Sequence, residues 1–477
     1  MKKTFVIGIL ILMLVAVAVV VAAPNNLPGA GWKTGTQVQN VSTGPVNIIL
    51  TAYDQSGNPF TCNSQALNTG ESYTYLPEND CSTLPSGFQG SGVVSADGEV
   101  AAVTNVNNKP TGQAAGQYNG TDSSEAATTI SFPLVKNNHS GRTTTFYVQN
   151  ASGSTNNMNA NFVVNGVSYP KAYNNVPANA MVIITPNDAG VPSGQGNVGS
   201  LTVTGSEPLA GSSLEHETSP PVANNLQASR AFSSSDYGPK LFCPLARYQF
   251  GGKVTTTGLQ VQNVSGGSET INVSYTIVAG PSGAGTVVNA TPQTVADGAS
   301  ANFLQANDLK PGDLAAATVT STGGGDLAAI INDKATGTSP ERVTTYACFN
   351  SANATTQISL PLVKEAFNNN TSGVQVQNIG TNPTDLELTY RTTSGTTVVI
   401  ETTSKLAPGN SKTFNLLASG GTSGISVTSG SLSNLNGTVN GVVVVSQDGE
   451  PIVAIANESA TGGSSPQDTK NYEGFNQ

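Results

Sequence analysis

The stretch Gln37-Val38-Gln39-Asn40 reads as the end of a β-strand running into a turn, and it comes back three times. Its copies are Tyr147-Val148-Gln149-Asn150, Gln260-Val261-Gln262-Asn263 and Gln375-Val376-Gln377-Asn378, with the reference asparagines at intervals of 110, 113 and 115 residues. Self-similarity at a fixed period is the mark of a repeat architecture, and an interval of about 100 residues makes each repeat the size of a domain.

Working outward from each copy, the same landmarks return in the same register. Pro133-Leu134, Pro244-Leu245 and Pro361-Leu362 precede three of the copies. Beyond the asparagine, Leu386, Leu388 and Tyr390 alternate with Glu387, Thr389 and Arg391, and Ile271, Val273, Tyr275 and Ile277 or Val46, Ile48, Leu50 and Ala52 repeat the pattern. Period-two alternation of this length is a strand with one buried and one wet face. Next comes a turn carrying Gly70, Gly298 or Gly409, with Asn179 in the second repeat. Glycine and asparagine best tolerate positive φ, so a left-handed turn is expected there. Asp97-Gly98 and Asp448-Gly449 between apolar strands predict type I′ hairpins.

No helical run interrupts these strands, so the chain is all-β, with two antiparallel sheets packed in each repeat. The expected architecture is four tandem immunoglobulin-like β-sandwich domains in an elongated array after an N-terminal signal peptide. They span 23–113, 128–221, 239–340 and 358–462, after a signal peptide at 1–22 and before a C-terminal tail at 463–477. Ser-, Ala-, Asn- and Gly-rich linkers separate them. The linker phrases around Tyr118 and Tyr346 recur in the tail as Tyr472-Glu473-Gly474-Phe475.

The N-terminus sets the compartment. Lys2 and Lys3 precede an apolar run at 5–21, closed by Ala22 and Ala23, which predicts a secretory signal peptide cut after Ala22. Uncleaved, the run approaches the length that spans a bilayer, the one membrane contact expected. In an exported chain four cysteines read as disulfides, and the repeat boundaries select Cys62–Cys81 and Cys243–Cys348.

The combination Pro-Leu-Val-Lys (133–136), Val-Gln-Asn-x-Ser (148–152), Gly-Ser-Gly-Val-Val-Ser-Ala-Asp-Gly (90–98) and Ala-Ala-Val-x-Asn (101–105) resembles the tandem immunoglobulin-like repeats of secreted surface proteins of filamentous bacteria. The resemblance covers essentially the whole mature chain. It implies location and architecture and carries no activity.

Of the 477 residues only 10% are charged, with a net charge of −10, and the 19 lysines and arginines are scattered. That excludes a basic stripe for nucleic acid. The two histidines, His139 and His216, sit in no nucleophile-elbow context, and no zinc or calcium spacing occurs. An internal Lys–Asn isopeptide would draw on Lys364 and Asn457 with Glu387 or Asp385, but alternation puts Glu387 on the wet face. The expectation is an extracellular or cell-surface protein, not an enzyme and without cofactor or metal: a structural or adhesive stalk, sheath or filament component. The rival expectation is a carbohydrate- or protein-binding module using sandwich end loops. Tyr472 and Phe475 are expected to serve as an assembly tail docking head-to-tail on a second copy, with cell-surface glycans or proteins as other partners.

Overall fold

The computed structural model describes residues 13–17, 27–108, 114–218, 224–337, 341–417, 423–460 and 469–476. Nearly all of the regular structure is antiparallel strand. In repeat 3 one sheet holds Lys240–Tyr248, Glu269–Ala279 and Asp313–Ser321, the other Thr255–Asn263, Leu327–Ala335 and Arg342–Ala347. Their inner faces share one core, with Leu241, Val273 and Val319 from the first sheet against Leu259, Val261 and Ile331 from the second. Repeats 1 and 4 pair their strands in the same order. In repeat 2 the two sheets are continuous, because the single strand Val198–Glu217 runs through both.

The repeated Gln-x-Gln-Asn phrase has a physical reason. The asparagine amide donates to two carbonyls that close neighbouring turns: Asn40 to Gly44 and Leu67, Asn263 to Gly267 and Val295, Asn378 to Asn382 and Leu406. Its Oδ1 accepts the backbone N–H two residues on in these three repeats, an Asx turn that ties strand end to loop. The preceding glutamine, as Gln39, Gln149, Gln262 or Gln377, donates to the carbonyl of the turn residue Gly70, Asn179, Gly298 or Gly409. All four turn residues have the expected positive φ, between 59° and 76°.

Gly409→Val therefore forces a β-branched residue into a left-handed turn, at a cost of roughly 1–3 kcal/mol. Ser426→Val, on an exposed strand, is expected to stay within about 0.5 kcal/mol. Thermal denaturation of the two variants side by side checks this, and equal melting temperatures would contradict it.

The type I′ expectation is corrected. Neither aspartate has positive φ, and Gly98 does not either. Instead Asp97 and Asp448 use their carboxylates, accepting the N–H of Asn47 and of Asp385. Local side-chain bonding thus displaces the backbone turn that the Asp-Gly pair suggests.

Both expected disulfides are present, Cys62–Cys81 and Cys243–Cys348, which fits an oxidising compartment.

The elongated array is the larger correction. The three linkers and the tail contain strands and are not spacers: Ala115–Asn119, Leu226–Arg230, Arg342–Ala347 and the C-terminal Thr469–Glu473 each pair with the last strand of the repeat they follow. These closing strands pack against one another in a cycle, the first on the second, the second on the third, the third on the fourth, and the fourth back on the first. The chain is a closed ring of four repeats.

The seams repeat as well. The positive-φ turn of each repeat sits on the outer sheet of the one before. Ser91 Oγ donates to Asn179 O, Ser200 Oγ to Gly298 O, and Gly409 lies 3.5 Å (as a Cβ position) from Thr276 Oγ1. The ring-closing seam has the same form, with Arg391 Nη1 donating to Thr69 O at 2.9 Å. Apolar packing crosses the seams too: Val103 of repeat 1 belongs to the core of repeat 4, and Ile455 of repeat 4 to that of repeat 3. Amides and hydroxyls dominate these seams, which is why so few charges are needed to hold 477 residues together.

Candidate functional site

Ring closure brings four distant segments to one axis. The last residues of the closing strands, Asn119, Arg230, Ala347 and Glu473, all line a cavity of 790 Å³ at one end of that axis, together with Glu125 and Asp236. The cavity is built by the repeat, because each closing strand delivers its final residue to the same level. Its chemistry comes from the differences between repeats at that one position.

Arg230 is the central cation. Asp236 grips it with both carboxylate oxygens, one of them 2.8 Å from Nη1. Burial pushes the guanidinium down, but Asp236, Glu125 and Glu473 outweigh it and hold its pKa above the ordinary arginine value. Glu473 lies on the closing strand across the ring from Arg230. It accepts the Ala347 N–H, and burial raises its carboxyl despite the pull of Arg230. Glu125 is likewise raised, chiefly by burial. Asn119 donates to Glu473 O at 2.8 Å, while its own Oδ1 has no partner. The result is a polar vestibule, rich in acceptors around one neutralised arginine. On its wall Ser124 Oγ donates to the Asp122 carboxylate, and among the described residues no group of three or more His, Cys, Asp or Glu could hold a metal ion.

At the opposite ends of the closing strands lie buried ion clusters. Glu215 bonds Lys136 and Arg142 in repeat 2, Asp333 bonds Arg247 in repeat 3, and Glu458 bonds both Lys364 and Lys470 at 2.9 Å in repeat 4. Burial alone would raise Glu215 and Glu458, yet the paired cations hold each at about 2. The Lys364 amine pairs with Glu458, an acid outside the Glu387 and Asp385 that the isopeptide was expected to draw on. Repeat 1 has Val106 at this register, a purely apolar substitute.

The expected assembly tail is internal. Tyr472 is 1% exposed and its hydroxyl accepts the Leu362 N–H, while Phe475 packs on the core of repeat 4 and pairs with Ser359. Tyr346 does the same in repeat 3, bonding the Leu245 backbone. The aromatic phrase thus completes the repeat it follows. The face of repeat 1 beside Ala115–Asn119 is covered by the chain's own Thr469–Glu473.

His139 accepts the Gly196 N–H and His216 bonds Thr145. Burial is the first cause lowering both pKa values, and neither histidine reaches the vestibule.

One buried acid stands apart. Glu365 is fully buried, neither carboxylate oxygen has a partner, and burial raises it to about 8. Its folded pKa exceeds the unfolded one, so its contribution is most favourable below about pH 4.5 and is lost as pH climbs to about 8, by a few kcal/mol. Glu365→Gln is expected to raise the melting temperature at pH 9 and to change it far less at pH 4.5. Equal increments at both pH values would show that the carboxyl does not titrate there.

No protein-family description matches the chain, and no curated protein matches it. Among solved structures, that of Thermotoga maritima 1070 is 12% identical, with a TM-score of 0.19, covering 23% of this chain and 96% of its own. Dimeric latent PorU from Porphyromonas gingivalis is 9% identical, with a TM-score of 0.11, covering 78% of this chain and 31% of its own. Likeness of that degree carries no statement about fold or activity.

Proposed function

We propose that this chain is an exported, non-enzymatic structural protein of the cell surface: four immunoglobulin-like sandwiches closed into a compact block. One observation carries the reading. The Gln and Asn amides that recur in every repeat hold its turns, and the three ion clusters tie strands together within repeats. Two disulfides support an extracellular setting, and only 10% of the residues are charged. The resemblance to bacterial surface repeats points the same way. The signal peptide at 1–22 supplies the route.

The test is location and load. Intact producing cells are treated with a membrane-impermeant amine label and then fractionated. The reading expects the chain in the labelled surface or medium fraction, and its deletion to alter cell cohesion or adhesion. A chain recovered unlabelled from the cytosol would overturn it.

A second reading, a binding module, is favoured by the 790 Å³ vestibule. Such a module would bind on the ring axis instead of through sandwich end loops. Its acceptor-rich walls suit a polar or cationic group.

A further inference from the structure

Every repeat has a place for a first strand. In repeats 2, 3 and 4 it is filled by Ala127–Lys136, Lys240–Tyr248 and Gln357–Glu365. Each lies antiparallel to a valine-bearing central strand, with Ile130 opposite Val203, Leu241 opposite Val319 and Ile358 opposite Val444. On its other side the short segment after the closing strand pairs with it, as Phe349–Asn350 or Phe475–Asn476. The side chains that enter the core from this strand are apolar at alternate positions and almost completely buried: Ile130 and Phe132, Leu241 and Cys243, Ile358 and Leu360.

In repeat 1 the same place is taken by Met13–Val17. Val15 lies opposite Val94, and Thr121–Asp122 pairs on the far side, which is the register of the other three repeats. Yet residues 13–17 lie in the middle of the apolar run at 5–21. In an exported chain that run has two fates. Cleavage after Ala22 removes it, and retention leaves it as a helix in the bilayer. Neither leaves it in the sheet.

We infer that exported repeat 1 has a vacant strand position between Gly90–Ala96 and Thr121–Asp122, and that it receives an extended strand, apolar at alternate positions, from another exported polypeptide. The inference rests on the export reading above. Loss of the strand uncovers backbone N–H and C=O groups along residues 92–96 and opens the core beside Val94, a combination that recruits a strand by main-chain pairing. The Tyr118 hydroxyl supports the vacancy. Its counterparts Tyr346 and Tyr472 bond the first-strand backbone of their repeats. Tyr118 is 2% exposed, and its hydroxyl faces Ser212 and Thr104 and bonds no first-strand backbone among the described residues. A second copy of this chain is a poor donor. Its own first strands in repeats 2 to 4 and its tail segment Phe475–Asn476 are all paired internally.

The test uses the chain purified from the exported fraction, with its N-terminus sequenced. The probe is a synthetic peptide of residues 12–19 flanked by lysines, and the control is the same peptide with Val15→Pro, which removes a donor and breaks the pairing. The expected result is an N-terminus at Ala23 and saturable binding of one peptide per chain. Binding should raise the melting temperature and slow amide exchange at 92–96 at least tenfold, with no effect of the proline peptide. Suppose the chain is cleaved, yet residues 92–96 exchange as slowly as 317–321 without peptide, or neither peptide binds. Then the vacancy is wrong while export stands. If intact mass shows residues 13–17 retained and their amides protected, the strand is the chain's own, and the cleavage on which the inference rests falls as well.

Discussion

Removing residues 469–477 is expected to unseat two repeats at once. The deletion strips repeat 4 of its closing strand, the partner of Ile452–Ala460, and takes away the surface on which Ala115–Asn119 of repeat 1 packs. Tyr472 alone, 1% exposed and bonded to the Leu362 backbone, is worth about 3–5 kcal/mol by the cost of truncating a large buried side chain. The deletion should cost at least that, and it should enlarge the particle, because repeats 1 and 4 lose their shared seam. Small-angle scattering and thermal denaturation of the deleted and intact chains read both effects. An unchanged radius of gyration would mean that the ring does not depend on its last strand. Tyr472→Phe is the milder companion, losing the hydrogen bond and keeping the ring, at roughly 1 kcal/mol.

The second large effect is expected at Glu458. Its carboxylate serves Lys364 and Lys470 together in a site where Glu458 is 2% exposed. Glu458→Gln removes the shared counter-charge and leaves two ammonium groups facing each other in the interior. Breaking a buried pair in this way costs about 3–5 kcal/mol. Replacing all three with apolar residues of similar size should recover much of the loss, since the desolvation of the charges disappears with them. Lys334–Glu341, half exposed on both sides, is the control, and Glu341→Gln should move stability by less than about 1 kcal/mol. Denaturant melts of the four proteins check the order. The sign with pH is also fixed. The folded pKa of about 2 lies below the unfolded value, so this stability is present above about pH 4.5 and is lost as pH falls toward 2.

The strands, their inward faces, the left-handed turns and both disulfides were legible in the sequence, because each is written locally or in the repeat spacing. The ring was not. Whether Tyr346 packs on the repeat before it or after it depends on a hydroxyl bonding the Leu245 backbone, about 100 residues away, and nothing local encodes that choice. Once the phrase is assigned to the preceding repeat, the C-terminal Tyr472 stops being a surplus tail. The gap moves to the N-terminus, where export would take the first strand away from repeat 1. The vestibule was illegible for a related reason. Asn119, Arg230, Ala347 and Glu473 share a register but no residue type. The ion clusters left half a trace: Lys136, Arg247 and Lys364 each lie three residues after the proline of their Pro-Leu pair. The acids Glu215, Asp333 and Glu458 share a register on the last strand, but loop lengths that differ between repeats hide it in the sequence.

The seam between the fourth repeat and the first has a consequence for how such a gene can change. An open stack of repeats tolerates gain or loss of a unit and needs special end units to shield its termini. Here every unit has a neighbour on both sides, so no unit is a cap. The angle between successive units is set by the same turn seated on the same outer sheet. A duplication or loss by unequal recombination would leave an arc that overshoots or falls short of its own beginning. A unit gained or lost is therefore expected to cost the molecule the contact between its first and fourth repeats, whereas substitutions and loop-length changes within units leave that contact in place.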